Sequence, residues 1–233
     1  MNNLINEIKL KHKDNSKLEE LFNGSTEKQF EHFYDYLQLA DSIADEGVLN
    51  DKDIARKIYI ELEKIASDFD EYINLADSIA DVELLNDKKW AKKIYIELEN
   101  LAKDFEDYKD LARSISVVNG LKDKVWAKIL FIKAIEEEKK INDEYLFTLI
   151  NLTGLIVSTL YLDDKEFAIE IYKDIEKRLK YKEECITLAY EISFKLKNKE
   201  WAKELFSKRS NFPDFGMKWP QSVLTLERRL EKL

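Results

Sequence analysis

Glycine and proline are scarce in this chain, five and two among 233 residues. An all-β fold needs many turn residues, so the shortage argues against one, and it also argues against glycine-rich phosphate loops. A single cysteine, Cys185, excludes an internal disulfide framework and a cysteine-built zinc site. Two histidines, His12 and His32, leave little for a histidine-built metal centre. Hydrophobic residues make up 45% and charged residues 36%, the balance of helices with one buried and one solvated face. Acids outnumber bases, 47 to 38, for a net charge of −9.

Met1 to Lys13 has no apolar run ahead of its lysines, so a secretory leader is not expected there. Tyr145–Leu162 is uncharged over 18 residues, long enough for a membrane span. Asn151, Thr148, Thr153, Gly154, Ser158 and Thr159 dilute it, and acidic pairs flank it. The expectation is a buried helix, no membrane contact and a cytoplasmic location.

The chain repeats itself. Leu39–Asp45 and Leu75–Asp81 both read LADSIAD, and Leu111–Val117 reads LARSISV, each 36 residues after the last. Asp51–Tyr59, Asp87–Tyr95 and Asp123–Phe131 align in the same register. About 23 of 36 positions are identical between residues 34–69 and 70–105. Asp164–Tyr172 and Lys199–Phe206 carry the second-half signature in two more divergent copies, preceded by Leu152–Ser158 and Leu188–Phe194. Within each copy the spacing predicts two helices. Tyr36, Leu39, Ala40, Ile43 and Ala44 form one stripe at helical period, and Ile54, Ala55, Ile58, Tyr59, Leu62, Ile65 and Ala66 form another. The Asn-Asp-Lys stretches at 50–52 and 86–88 separate the two and offer caps to the second. So short a pair cannot bury its stripe alone, whereas stacked pairs can.

Ala-x-x-x-Tyr/Phe recurs at Ala55/Tyr59, Ala91/Tyr95, Ala127/Phe131, Ala168/Tyr172 and Ala202/Phe206. Together with Leu-Ala-x-x-Ile in the preceding helix, this resembles tetratricopeptide-type repeats, and Asp51-x-x-x-Ala55-x-x-Ile58-Tyr59 at a 36-residue period looks more like the Sel1-like variant. The turn glycines and the closing proline of those families are mostly missing here. The resemblance spans about residues 34–211 and implies a protein-binding role. The fold expected is all-α, a right-handed α-solenoid of about five helix-pair repeats (34–69, 70–105, 106–141, 142–181, 182–211) in a single domain. Residues 1–33 are expected to form an N-terminal cap from Leu18, Leu21 and Phe22, with Gly24 as its stop and Ser25 capping the next helix. Residues 212–233, with Pro213 and Pro220, are expected to form a C-terminal capping helix from Val223 to Leu233.

No catalytic or metal-ligating residue is expected, and no cofactor. Cys185 aligns with Tyr36, Tyr72 and Tyr108 on a core stripe and reads as a buried structural thiol. His12 and His32 read as ordinary surface or cap residues. Asp41/Asp45 and Asp77/Asp81 stand at i, i+4, the spacing of a paired-carboxylate site, but they are copied between repeats where a catalytic pair should be unique. Trp90, Trp126, Phe167 and Trp201 fall in one column with Ile54 and are expected in the core. Basic residues are scattered among acids, so no direct nucleic-acid binding is expected.

The acids are unevenly spread: the first 105 residues carry a net −10 and the remainder +1. In tetratricopeptide-like stacks the first helix of each pair lines the concave face. Here that would place Asp41, Asp45, Asp77 and Asp81 at an acidic end and Leu155, Tyr190 and Phe194 at an apolar end, with the four aspartates outside the core. The expected function is a non-enzymatic protein-binding module for a basic protein. An antagonist of a nuclease (a toxin-immunity protein or a phage-encoded inhibitor of a defence nuclease) and a self-assembly scaffold are the alternatives.

Overall fold

The computed structural model describes residues 2–11, 32–141, 146–214 and 221–232. Twelve α-helices and no strand lie among the described residues: α1 (Asn2–Lys11), α2 (Phe33–Ala44), α3 (Lys52–Ile65), α4 (Phe69–Ala80), α5 (Lys88–Leu101), α6 (Phe105–Ser116), α7 (Lys124–Ile141), α8 (Phe147–Val157), α9 (Lys165–Arg178), α10 (Lys182–Phe194), α11 (Lys199–Ser207) and α12 (Gln221–Leu230). A 3₁₀ turn, Arg209–Asn211, follows α11. The chain forms two compact units. One comprises Met1–Lys103 and Ser114–Asp123, the other Asp104–Arg113 and Lys124–Leu233.

In the first unit α2 packs on α3, α4 on α5, α3 on α4 and α2 on α4. The alanines and the aromatic one turn on are the reason these helices approach closely. Ala40, Ala55, Ala76 and Ala91 are fully buried, and so are Tyr59 and Tyr95, whose rings fill the gap the small residues leave. Helix α1 packs on α3, seats Ile8 fully buried, and pairs Glu7 with Lys57 at 2.6 Å. The capping pattern expected from Leu18, Leu21, Phe22, Gly24 and Ser25 lies outside the described residues, as does His12.

In the second unit α8 packs on α7, α9 and α10, while α10 also contacts α9, α11, the 3₁₀ turn and α12. The long apolar stretch resolves into α8, an 11-residue helix that stops before Ser158. Its Leu149, Ile150, Leu152, Thr153, Gly154, Ile156 and Val157 are buried among those neighbours. No helix among the described residues is long and apolar enough to cross a membrane. The closing helix α12 buries Leu230 and fixes Glu227 against Arg209 at 3.2 Å. Pro213 accepts a hydrogen bond from the Lys182 backbone at 3.0 Å, whereas Pro220 and Leu233 lie outside the described residues.

One turn design joins the helices of each pair. The residue before the cap of each second helix is left-handed: Asn50, Asn86, Lys122, Asp163 and Lys197, with φ of 53°, 55°, 57°, 56° and 60°. The cap's own N–H reaches back to the first helix, from Asp51 to Ile43, Asp87 to Ile79, Asp123 to Ile115, Asp164 to Ile156 and Asn198 to Ile192. The glycine missing from the repeat signature is thus replaced by asparagine or aspartate, which tolerate this conformation, and by lysine, for which it costs more. Lys122→Gly is therefore expected to stabilise the protein by about 0.5–1 kcal/mol, readable as a higher urea midpoint at unchanged slope.

The caps do two jobs at once. Asp87 accepts the Trp90 N–H at 3.0 Å through one oxygen and the Arg56 guanidinium at 2.8 Å through the other. Asp164 does the same with the Phe167 N–H at 3.0 Å and Lys128 at 2.7 Å, and Asp51 with the Ile54 N–H at 3.2 Å and Lys11 at 2.6 Å. Lys11 of α1 thereby supplies what a preceding second helix would. In the last pair the cap is Asn198 and the residue in the cation's position is Ile169, so both charges are lost together. Arg56 and Lys128 hold Asp87 and Asp164 below the usual carboxylate range, and the capped N–H groups act in the same direction. A depressed folded pKa gives stability that is present above the unfolded value of 3.8 and lost as pH falls through the folded one. Asp87→Asn and Asp164→Asn keep the cap, as Asn198 does. Each is expected to cost about 0.5–1 kcal/mol at pH 7 and nothing once the pH lies below both pKa values, in thermal melts against the parent.

Candidate partner-binding face

The columns of each first helix beside its Leu-Ala-x-x-Ile stripe form the face where a partner was expected. In the first unit this face holds Asp41, Asp45, Asp77 and Asp81. Asp41 and Asp77 have work inside the fold, which corrects the expectation for those two, while Asp45 and Asp81 are half-buried and make exposed bonds at the turns. The Tyr59 hydroxyl donates to Asp41 Oδ1 at 2.7 Å, and Ser78 of the next first helix donates to Asp41 Oδ2 at 3.2 Å. Tyr95 and Ser114 donate to the two oxygens of Asp77 in the same way, Ser114 at 2.9 Å. Asp45 accepts the Gly47 N–H at 2.6 Å, and Asp81 accepts the Glu83 N–H at 2.8 Å and the Asn119 amide at 3.1 Å. Burial pushes the Asp41 carboxyl above its usual value, with Asp81 adding to it, against the pull of the two hydroxyls.

This arrangement was readable in the repeat and was missed. Where the second helix has tyrosine, at Tyr59 and Tyr95, the first has aspartate, at Asp41 and Asp77. Where it has phenylalanine, at Phe131 and Phe206, the same place holds Arg113 and Tyr190. A buried hydroxyl needs an acceptor, and the two positions change together. Arg113 instead lies 5.7 Å from the Tyr161 ring. The fourth pair breaks the rule. Tyr172 is fully buried, Gly154 stands in the aspartate position, and the hydroxyl has no hydrogen-bond partner.

In the second unit Leu155 is half-buried and Phe194 is 52% exposed. Tyr190 and Phe194 stack with ring centroids 5.6 Å apart. Arg229 of α12 donates to the Tyr190 hydroxyl at 3.0 Å, and Lys197 lies 4.6 Å from the Phe194 ring. Tyr190 is therefore committed to holding α12, and Phe194 is the aromatic left open to solvent. The expected apolar end is also cationic.

The aromatic column sits on the second helices and is half-buried rather than in the core, with Ile54 alone buried. Trp90 donates its indole N–H to Glu63 at 3.2 Å with Arg56 over its ring at 5.7 Å, and Trp201 donates to Glu176 at 2.9 Å. The rings seal seams between second helices, and an indole with a wet edge prefers such a place. Trp90→Ala is expected to cost about 1–3 kcal/mol, less than a fully buried ring, by chemical denaturation.

A cavity of about 280 Å³ opens between α7 and α9, lined by Ile132, Ile135, Leu149, Phe167 and Ile171 and rimmed by Lys139 and Asp174, paired at 3.2 Å. Glu136 and Glu170 line it as well. Cys185 is fully buried, donates to the Leu205 carbonyl at 3.2 Å, and burial pushes its thiol up to about 12. His32 is the exposed N-cap of α2, with Asp35 accepting its backbone N–H. Among the described residues, no three histidines, cysteines, aspartates or glutamates are grouped to hold a metal ion. No family model, curated protein or solved structure matches the chain.

Proposed function

We propose that the chain is a non-enzymatic protein-binding module of helical-repeat type, acting in the cytoplasm and engaging a basic protein through its first-helix face. One observation carries this reading. The frame positions recur from pair to pair, in the left-handed turn residue, the capping side chain and the buried alanine with its aromatic. The first-helix face varies along the array instead, through Gln38, Asn74, Asp110, Asn151 and Thr187 at one position and through Asp41 and Asp77, then Arg113, Gly154 and Tyr190, at the other. A constant frame with a changing surface is what selective recognition by an array requires. The sequence period of about 36 residues supports a right-handed solenoid as the form of that array.

The surplus acid of the first 105 residues favours a basic partner, and screening by salt should then slow association. The test is affinity capture on the immobilised chain, followed by binding of the purified captured protein to it. Binding that weakens with salt and is lost in a Gln38→Arg/Asn74→Arg/Phe194→Ala variant of unchanged helicity supports the proposal. A partner that ignores all three positions, or whose binding is indifferent to salt, contradicts it.

A further inference from the structure

The fourth helix pair carries an unfinished copy of the carboxylate site that the first two complete. In those, one carboxylate accepts a tyrosine hydroxyl and a serine hydroxyl, and the serine comes from the next first helix. In the fourth pair the aspartate is Gly154, and the residue in the serine's position is Glu191. The carboxylate has moved across to the neighbouring helix. It leans over the glycine, since a Cβ added to Gly154 would lie 2.8 Å from Glu191 Oε2. The tyrosine remains as Tyr172, fully buried, its hydroxyl unpartnered and feeling the Glu191 charge. No hydroxyl stands in for the second donor; Lys195 reaches the same spot, its Cε 3.9 Å from that added Cβ. Burial holds the Glu191 carboxyl above its ordinary value, and Lys195, one turn on, offsets this only in part. An orphaned buried hydroxyl beside a desolvated carboxylate costs free energy until a donor from outside completes the set.

We propose that the notch formed by Gly154, Tyr172 and Glu191 receives a lysine or arginine side chain of the protein partner. The cation supplies the second donor, the part Ser78 and Ser114 play in the earlier pairs, while Glu191 accepts from it and from Tyr172 together. A carboxylate has lone pairs for both, and a charged donor is the stronger partner for a partly desolvated anion. The glycine leaves room beside the half-buried carboxylate, because a Cβ there would crowd its oxygen. This inference rests on the reading of the chain as a binder of a basic protein, and it names one contact on the second unit's part of that face.

The test needs no partner. The free chain is titrated with n-butylammonium and n-butylguanidinium chloride, with n-butanol as the neutral control, following backbone amide shifts by NMR. Saturable shifts centred on Gly154 and Glu191, given by the cations and absent with butanol, are expected. Glu191→Gln should weaken them by about tenfold or more while the fold is retained. Gly154→Ala, which keeps the carboxylate but crowds it, should weaken them too. Shifts that butanol reproduces, that survive Glu191→Gln, or that gather at Asp41 and Asp77 would overturn the proposal, as would no saturable shift at all. Those outcomes leave a basic partner for the other first helices untouched, so the two readings fail separately.

Discussion

Replacing Asp77 by lysine is expected to cost the protein its fold before it costs it a partner. The substitution removes the acceptor of two hydroxyls, those of Tyr95 and Ser114. Tyr95 is fully buried, so its hydroxyl has nowhere else to turn. Two donors left without an acceptor, at about 1–3 kcal/mol each, put the loss at roughly 2–6 kcal/mol even for Asp77→Ala, and an ammonium in the same place adds to it. Asp41→Lys should behave alike through Tyr59 and Ser78. The double variant is expected to lose most of a marginal stability, seen as a collapse of the urea midpoint. The paired control is Tyr95→Phe/Asp77→Ala, which removes hydroxyl and acceptor together as Phe131 and Arg113 do naturally. It should recover the part of the loss that belongs to Tyr95, leaving Ser114 as the donor without its acceptor. If Asp77→Lys melts like the parent, the hydrogen bonds assigned to Asp77 do not hold the helices.

Gly120→Ala is the second large effect. Gly120 lies in the turn between α6 and α7, and an added Cβ would meet the Ser114 carbonyl oxygen at 2.0 Å. That atom belongs to the backbone of α6, so no side chain can swing aside. Ser114 also donates to Asp77, and the shift needed would disturb that bond. A cost of about 3 kcal/mol or more is expected, at the upper end for overpacking. Gly47→Ala is the comparison. There the nearest atom is the Asp45 carboxylate oxygen at 3.0 Å, the end of a side chain that can move, and the change should be mild. Equal melting temperatures for the two variants would show that the turn after α6 is not as tight as described.

The helices and their order were legible because period and punctuation agree. Leu39, Ala40, Ile43 and Ala44 are buried as their spacing requires, and Asp51 and Asp87 cap the helices that follow them. The left-handed turn residue was not legible, because the signal sought was glycine and the chain uses Asn50, Lys122 and Lys197. The aromatic column was read as core because large apolar rings at helical spacing usually are. The indole N–H of Trp90 needs a partner, and Glu63 meets it at a half-exposed seam. Asp41 and Asp77 looked free because a stripe of apolar residues defines a core by side-chain type alone. It does not register that a tyrosine from the partner helix reaches through the core and needs an acceptor at its far edge. The coupled change of Asp41/Tyr59 and Asp77/Tyr95 to Arg113/Phe131 was the available sign.

Hydrogen exchange of the chain, alone and with its captured partner, tests most directly whether recognition belongs to the first helices. The frame holds both helices of each pair, but the changing surface lies on α2, α4, α6, α8 and α10. Added protection on binding is expected in those five helices and the turns that follow them, while α3, α5, α7, α9 and α11 keep the exchange they show alone. Protection gathered on the second helices, around Ile60, Ile96 and Ile132, which are 41%, 47% and 37% exposed, would contradict the account and move the partner to the other side of each pair.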